Sequence, residues 1–187
     1  FRSIAAAFEV GTTFKSRGNE LRAELRHAPL GPLQGVVGLQ SENLRFSALG
    51  AEAFVPGTRT QSNALFVLEE LSLGATVLSA GARTERVNVR SEGDAADADE
   101  PRFGAPASRR FTPLSFSLGA THDLGAGWQA QATLGSTERA PAYYELYANG
   151  VHVATAAYER GDPSLALERS RHVEAGLAWR SGTQAFK

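Results

Sequence analysis

The segment LSFSLGATHDLGAGWQAQATLGST, residues 114–137, decides the fold of this chain. Leu114, Phe116, Leu118 and Ala120 alternate with Ser115, Ser117, Gly119 and Thr121. Past DLGAG, Trp128, Ala130, Ala132 and Leu134 alternate with Gln129, Gln131, Thr133 and Gly135. Successive side chains of an extended strand point to opposite faces, so each half sorts into one apolar and one polar side. Asp123–Gly127 between them reads as a tight hairpin turn.

The same period of two extends in both directions from this hairpin. In NELRAELRHA, residues 19–28, Glu20, Arg22, Glu24 and Arg26 face away from Leu21, Ala23 and Leu25, whereas a helix would scatter the charges around its circumference. QGVVGLQSENLRF, residues 34–46, puts Gln34, Gly38, Gln40 and Glu42 on its polar side, with Val36 interrupting the pattern. Strands are expected over Ser62–Leu71 and Ala75–Val89, the second with Arg83 and Glu85 opposite Ala80 and Ala82. HVEAGLAWR, residues 172–180, sets His172, Glu174, Gly176 and Arg180 against Val173, Ala175, Leu177 and Trp179. This gives seven strands and a fragment of an eighth beyond Ser181–Gly182.

The connections alternate in kind. Tight ones lie at Pro29–Leu33, Ser72–Gly74, Asp123–Gly127 and Ser181–Gly182; long ones lie at Ser47–Gln61, Arg90–Arg110 and Glu138–Glu168. Short turns at one end and long loops at the other describe an up-and-down antiparallel sheet, and in transmembrane β-barrels the short turns face the periplasm. No run reaches the roughly 18 apolar residues of a membrane helix, so any spanning falls to strands. Trp128 follows one short turn and Trp179 precedes another, which puts both rings at one rim of the apolar side, where aromatic girdles gather. Core tryptophans of a soluble β-sandwich are the competing reading, because a soluble sheet alternates as well.

Composition narrows the function. Nineteen Lys and Arg against twenty Asp and Glu give a formal net charge of -1, which removes the basic surface a nucleic-acid partner requires. With no cysteine there is no disulfide, thiolate metal site or Cys nucleophile. The four histidines, His27, His122, His152 and His172, are widely spaced, and no metalloprotease, nucleophile-elbow or phosphate-loop pattern occurs. Neither an enzyme nor a cofactor is expected. The acidic loop with Glu92, Asp94, Asp97, Asp99 and Glu100 has oxygen ligands for a cation but not EF-hand spacing, and a solvated loop is favoured. The long loop, which also holds Tyr158, gathers Tyr143, Tyr144, Glu145, Tyr147, Asn149, His152, Glu159 and Asp162, the substrate-contact candidates, with His152 the single weak candidate for a metal ligand.

The stretch TERAPAYYELYANGVHVATAAYERGDPSLALERSRHVEAGLAWR, residues 137–180, resembles the C-terminal half of TonB-dependent outer-membrane receptors. Matching positions are Arg139, Pro141, Glu145, Leu146, Tyr147, Ala148, Asn149, Gly150, His152, Gly161, Leu165, Glu168 and Ser170; Val151 stands where that pattern often has proline. GAEAFVPGTRTQSNALFVLEE and LSAGARTERV look like earlier barrel segments of the same receptors. The resemblance implies an all-β barrel of about 22 strands closed by a separate plug. Residues 1–187 would then be a partial section of about seven or eight strands, with the plug, the TonB box and the terminal strands outside it. It further implies active uptake of a scarce nutrient such as a metal ion or siderophore, energised by the TonB complex through the N-terminal region, with outer-membrane lipid around the wall. The form of the motif looks most like the branch that includes zinc-uptake receptors. Glu20, Arg22, Glu24, Arg26, Gln129, Gln131, His172 and Glu174 are then the expected lumen-facing residues. The rival architectures are a complete small outer-membrane barrel with a structural or adhesive role and a soluble ligand-binding β-sandwich.

Overall fold

The structure is a computed structural model that describes residues 11–50, 53–95, 101–152, 156–182 and 184–186; Asp97, Asp99 and Glu100 of the acidic loop lie outside them. In chain order its elements are β1 (Thr13–Arg26), β2 (Leu33–Leu49), β3 (Thr58–Leu73), β4 (Thr76–Ser91), β5 (Ala107–Phe111), β6 (Leu114–Gly125), β7 (Trp128–Arg139), α1 (Tyr143–Tyr147), β8 (Asn149–His152), β9 (Ala157–Arg160), β10 (Glu168–Ser181) and β11 (Gln184–Phe186). One antiparallel sheet runs in the order β1-β2-β3-β4-β6-β7-β10-β11, and β8 and β9 form a separate hairpin. The barrel is not closed by this section.

β5 and β6 are one strand interrupted at Pro113. Both pair with β4 in a single register, Val87 opposite Phe111 and Thr84 opposite Leu114. Proline has no N–H to give the ladder, so the pairing lapses there and only the Pro113 carbonyl continues it, accepting from the Glu85 N–H at 3.0 Å.

The strands outrun the alternation. β3 begins at Thr58 and β2 continues to Leu49, beyond the Ser62 and Phe46 limits read from the sequence. Toward the long loops the sorting of the faces breaks down, with Arg59 on the otherwise apolar side and Phe46, Val87 and Val89 on the otherwise polar one, so the periodicity fades while backbone pairing persists.

Cross-strand register fixes the two faces. The row Arg26, Val36, Leu68, Gly81, Ser117, Gly135, His172 runs through directly opposed residues of β1 to β10. All eight residues expected on the polar side share this face, and Val36 with Leu68 forms an apolar patch on it at the short-turn end. The other face carries Leu21, Leu39, Leu65, Leu118, Leu134 and Leu177. Leu118, Leu134 and Leu177 are 50%, 45% and 50% exposed, so no second layer covers them, as a soluble sandwich demands. Trp128 and Trp179 lie directly opposite each other on that face, ring centroids 6.4 Å apart, at the short-turn rim.

The compact core sits elsewhere. Val87, Val89, Phe111, Leu146 and Tyr147 bury one another at the long-loop end of the polar face. The long loop is therefore not irregular: α1 docks against the inside of β4 and β5.

Candidate functional site

What holds the long loop down is a clasp built from the residues of its sequence motif. Arg139, at the end of β7, donates from Nη1 and Nη2 to the two carboxylate oxygens of Glu145 at 2.9 and 3.0 Å, and from Nε to Glu168 Oε2 at 2.9 Å. Glu145 also accepts the Ala142 N–H at 2.7 Å, satisfying a donor left over at the start of α1. Arginine suits this position because its planar fork serves two carboxylates at once. Leu146, fully buried, anchors α1 in the core, and the Tyr147 hydroxyl donates to the Val89 carbonyl at 3.3 Å. On the far side the Gly161 N–H donates to Ala148 O at 2.7 Å, and the Asp162 N–H to Glu145 O at 2.8 Å. A side chain at Gly161 would bring its Cβ within 2.6 Å of the Leu146 and Tyr147 backbone, so only glycine permits this approach.

The β8–β9 hairpin rests on the loop between β2 and β3. The Asn149 N–H donates to Phe54 O at 2.8 Å, and the Tyr158 hydroxyl donates to Asn149 Oδ1 at 2.8 Å. His152 stacks on Phe54 with ring centroids 4.5 Å apart and pairs through Nδ1 with Glu159 at 2.7 Å.

Six rings follow one another in space from there: His152, Phe54, Phe14, Phe46, Tyr143 and Tyr144, with successive centroids 4.5, 6.4, 6.0, 4.8 and 5.3 Å apart. Phe14 and Phe46 belong to the polar face, so the run crosses the mouth of that face beneath the loops. Phe14 is 55% and Tyr144 47% exposed, unusual for rings with so many neighbours to pack on.

Below the aromatic run the polar face is wired across four strands. Gln40 accepts from Arg83 at 2.9 Å and donates to Glu20; Arg22 pairs with Glu24 at 2.6 Å, Arg83 with Glu85 at 3.2 Å, and Ser62 donates to Glu85. The Arg22 guanidinium also lies 4.4 Å above the Phe66 ring. That ring occupies the space over Gly38, where a Cβ would come within 2.2 Å of it.

Residues 5–187 match the family described as TonB dependent receptor-like, beta-barrel. This chain belongs to that family. Among solved structures it is similar to the "Copper transporter OprC", at 18% identity and TM-score 0.70, with 91% of this chain and 28% of that one covered. It is also similar to the Serratia marcescens hemophore receptor HasR, a double mutant in complex with its hemophore HasA and heme, at 21% identity and TM-score 0.67, with 91% and 30% covered. The chain thus spans under a third of either structure, a section of a receptor barrel of the bacterial outer membrane.

Transmembrane β-barrels carry an outward apolar band flanked by aromatic girdles, with short turns on the periplasmic side, and the apolar face, the tryptophan pair and the tight connections of this chain follow that pattern. The geometry divides the sequence candidates. Glu145, Tyr147 and Asp162 hold the clasp, Asp162 through the Ser164 N–H and hydroxyl at 2.7 and 2.6 Å. Tyr143, Tyr144 and His152 join the aromatic run, while Asn149 and Glu159 brace its end. Asp94 is likewise engaged, by the Arg102, Phe103 and Gly104 N–H groups at 2.8, 2.9 and 2.7 Å, which hold its carboxyl below the usual range and tie off the acidic loop. Among the described residues no group of three metal-ligating side chains converges. Periodicity did not single out Phe14, Phe46 and Phe54. The available signal was an aromatic on the polar parity of β1 and β2.

The clasp is titratable. Arg139, and then the Ala142 N–H, hold the Glu145 carboxyl below the usual carboxylate range, and Ser164 does the same for Asp162. A depressed folded pKa gives stability that is present above the unfolded value, about 4.3, and is lost as pH falls through the folded one. Hydrogen-exchange protection of residues 142–165 should therefore stay level from pH 7 to about 5 and drop below about 4. In Glu145→Gln the drop should shrink; an unchanged acid profile would exclude Glu145 as the linked group.

Proposed function

We propose that the parent receptor carries a scarce nutrient inward through this barrel, energised by TonB acting on a plug outside the chain, and that the cargo is a metal held in an aromatic or otherwise flat organic complex. The observation that carries this reading is the six-ring run across the mouth of the polar face, with solvent-reachable rings at Phe14 and Tyr144. Flat ligands gain from offset and edge contacts with such rings. The polar network of Glu20, Arg22, Gln40, Arg83 and Glu85 then offers paired charges deeper along the wall. Gln129, Gln131, His172 and Glu174 continue the same polar surface on β7 and β10. That solved neighbours include a copper transporter and a heme-bound hemophore receptor is in keeping with a metal-bearing cargo.

His152 belongs to this site as an aromatic wall. Its ring lies flat on Phe54 and its Nδ1 is engaged by Glu159, an arrangement that suits stacking on a complex rather than capture of a bare ion.

The test uses the full-length receptor in cells that depend on it for the nutrient. Phe14→Ala with Tyr144→Ala should weaken cargo binding about tenfold or more, at roughly 0.5–1.5 kcal/mol for each lost aromatic contact. His152→Phe should bind nearly as well as the parent, and His152→Ala less. Equal loss in His152→Phe and His152→Ala would instead make the imidazole a ligand for the metal itself, and unchanged binding in the double variant would refute the aromatic site.

A further inference from the structure

Along the lipid-facing side, at the long-loop end, the register lines up Arg17, Arg45, Arg59 and Arg90 as directly opposed residues of β1, β2, β3 and β4. The next row toward the short turns is Asn19, Asn43, Gln61 and Asn88, all amides, with Arg110 beyond Asn88. Leu21, Ser41, Asn63 and Arg86 follow, and then Ala23, Leu39, Leu65, Thr84 and Leu114 open the apolar band. One face thus passes from cations through amides to hydrocarbon within a few rows.

Directly opposed like charges repel across a sheet and lower its stability. Among the described residues nothing relieves the repulsion. Arg17, Arg45 and Arg90 are exposed and make no side-chain hydrogen bond or ion pair among the described residues. Arg59 donates from Nε to Asn43 at 3.0 Å, which aims it along the face without neutralising it. The described strand residues of this face include only two acids, Glu69 and Glu138. Glu69 lies at the opposite end, held by His27 at 3.0 Å, and Glu138 is taken by Arg169 at 2.9 Å. Acidic groups gather instead on the polar face, at Glu20, Glu24, Glu42 and Glu85, where Arg22 pairs with Glu24, Arg83 pairs with Glu85 and Gln40 donates to Glu20. Among the described residues Arg17, Arg45, Arg59 and Arg90 therefore have no acidic partner.

We infer that this arginine row is a docking surface for a phosphorylated lipid of the outer leaflet. Position and charge point the same way. The row stands above the apolar band, separated from it by the two intervening rows, about 20 Å along the strands, so a lipid bound there reaches Leu39 and Leu65 with its acyl chains while its headgroup meets the arginines. Guanidinium forks recognise phosphate oxygens in pairs, and the amide row below supplies donors and acceptors to the ester and sugar region. At about 4.8 Å per strand the row spans about 14 Å, wide enough for a headgroup bearing more than one phosphate. A solvated loop surface would account for scattered cations, but not for an acid-free row in register on the strands above the apolar band.

The experiment uses the full-length receptor in a non-ionic detergent, with lipid A carrying its phosphates as probe and native mass spectrometry as readout. The intact receptor should retain the lipid, and phosphatase-treated lipid A should bind at least about tenfold more weakly, as should the intact lipid to the Arg17→Gln, Arg45→Gln, Arg59→Gln, Arg90→Gln variant. Arg22→Gln, on the opposite face, should retain it. Should the fourfold variant fail to assemble, Arg45→Gln and Arg59→Gln singly are each expected to lower retention, and all-lysine replacement to preserve most of it. Equal retention of phosphorylated and dephosphorylated lipid, or parental retention by the glutamine variants, would overturn the inference. The readout is lipid occupancy, so either result leaves the transport proposal standing on its own test.

Discussion

Leu118→Arg is expected to destabilise the assembled receptor barrel by about 2–4 kcal/mol, the cost of a cation facing lipid near mid-bilayer. In a soluble sheet the same change would be almost silent, since Leu118 is already 50% exposed and supports no core. Thr133→Arg supplies the control. Thr133 belongs to the neighbouring strand but to the polar face, directly opposite Glu174, so an arginine there gains a partner instead of losing a lipid contact. Unfolding of the full-length receptor into denaturant from lipid vesicles, read by tryptophan emission, should separate the pair. Trp128 and Trp179 lie close together at one rim, so their emission reports the loss of the wall directly. Equal stability of the two variants would show that the Leu118 face does not meet hydrocarbon.

This pair of residues also shows why so much of the wall was legible. A one-residue slip would exchange every inward for every outward side chain, so a two-sided environment forces strict parity on the sequence. The parity of Leu118 and Thr133 holds from Leu114 to Thr121 and from Trp128 to Gly135, lapsing only toward the strand ends at His122, Ser136 and Glu138, and the turn between them declares itself by its glycines. The long loop carries no such constraint. Its residues meet one another rather than two solvents, so no period marks α1, and the pairing of Arg139 with Glu145 and Glu168 joins positions far apart in the chain. The motif was recognisable, yet most of its polar members proved to be the fastening of the loop. The aromatic run was hidden for a related reason: Phe14, Phe46 and Phe54 come from separate segments and become neighbours only through register and loop docking.

If the motif is a fastening, its strongest point should be its buried one. Leu146 is completely enclosed by Val87, Val89, Phe111 and Tyr147, and Leu146→Ala should cost the docked loop about 2–5 kcal/mol through lost transfer energy and the cavity left behind. That loss exceeds what surface ion pairs such as Arg139 with Glu168 return, typically under about 1 kcal/mol. The strands have their own ladder, so the damage stays local: residues 142–165 open while β1 to β7 remain paired. Limited proteolysis of the full-length variant in its membrane should therefore cut within this loop and spare the wall. Opening would also withdraw Tyr143 and Tyr144 from Phe46, which dismantles one half of the aromatic run and leaves His152 on Phe54 at the other. Cargo affinity should fall in step with protease sensitivity. A variant that is cut readily but binds as the parent does would separate the clasp from the site, and would move the cargo contact to the Phe14, Phe54 and His152 half of the run.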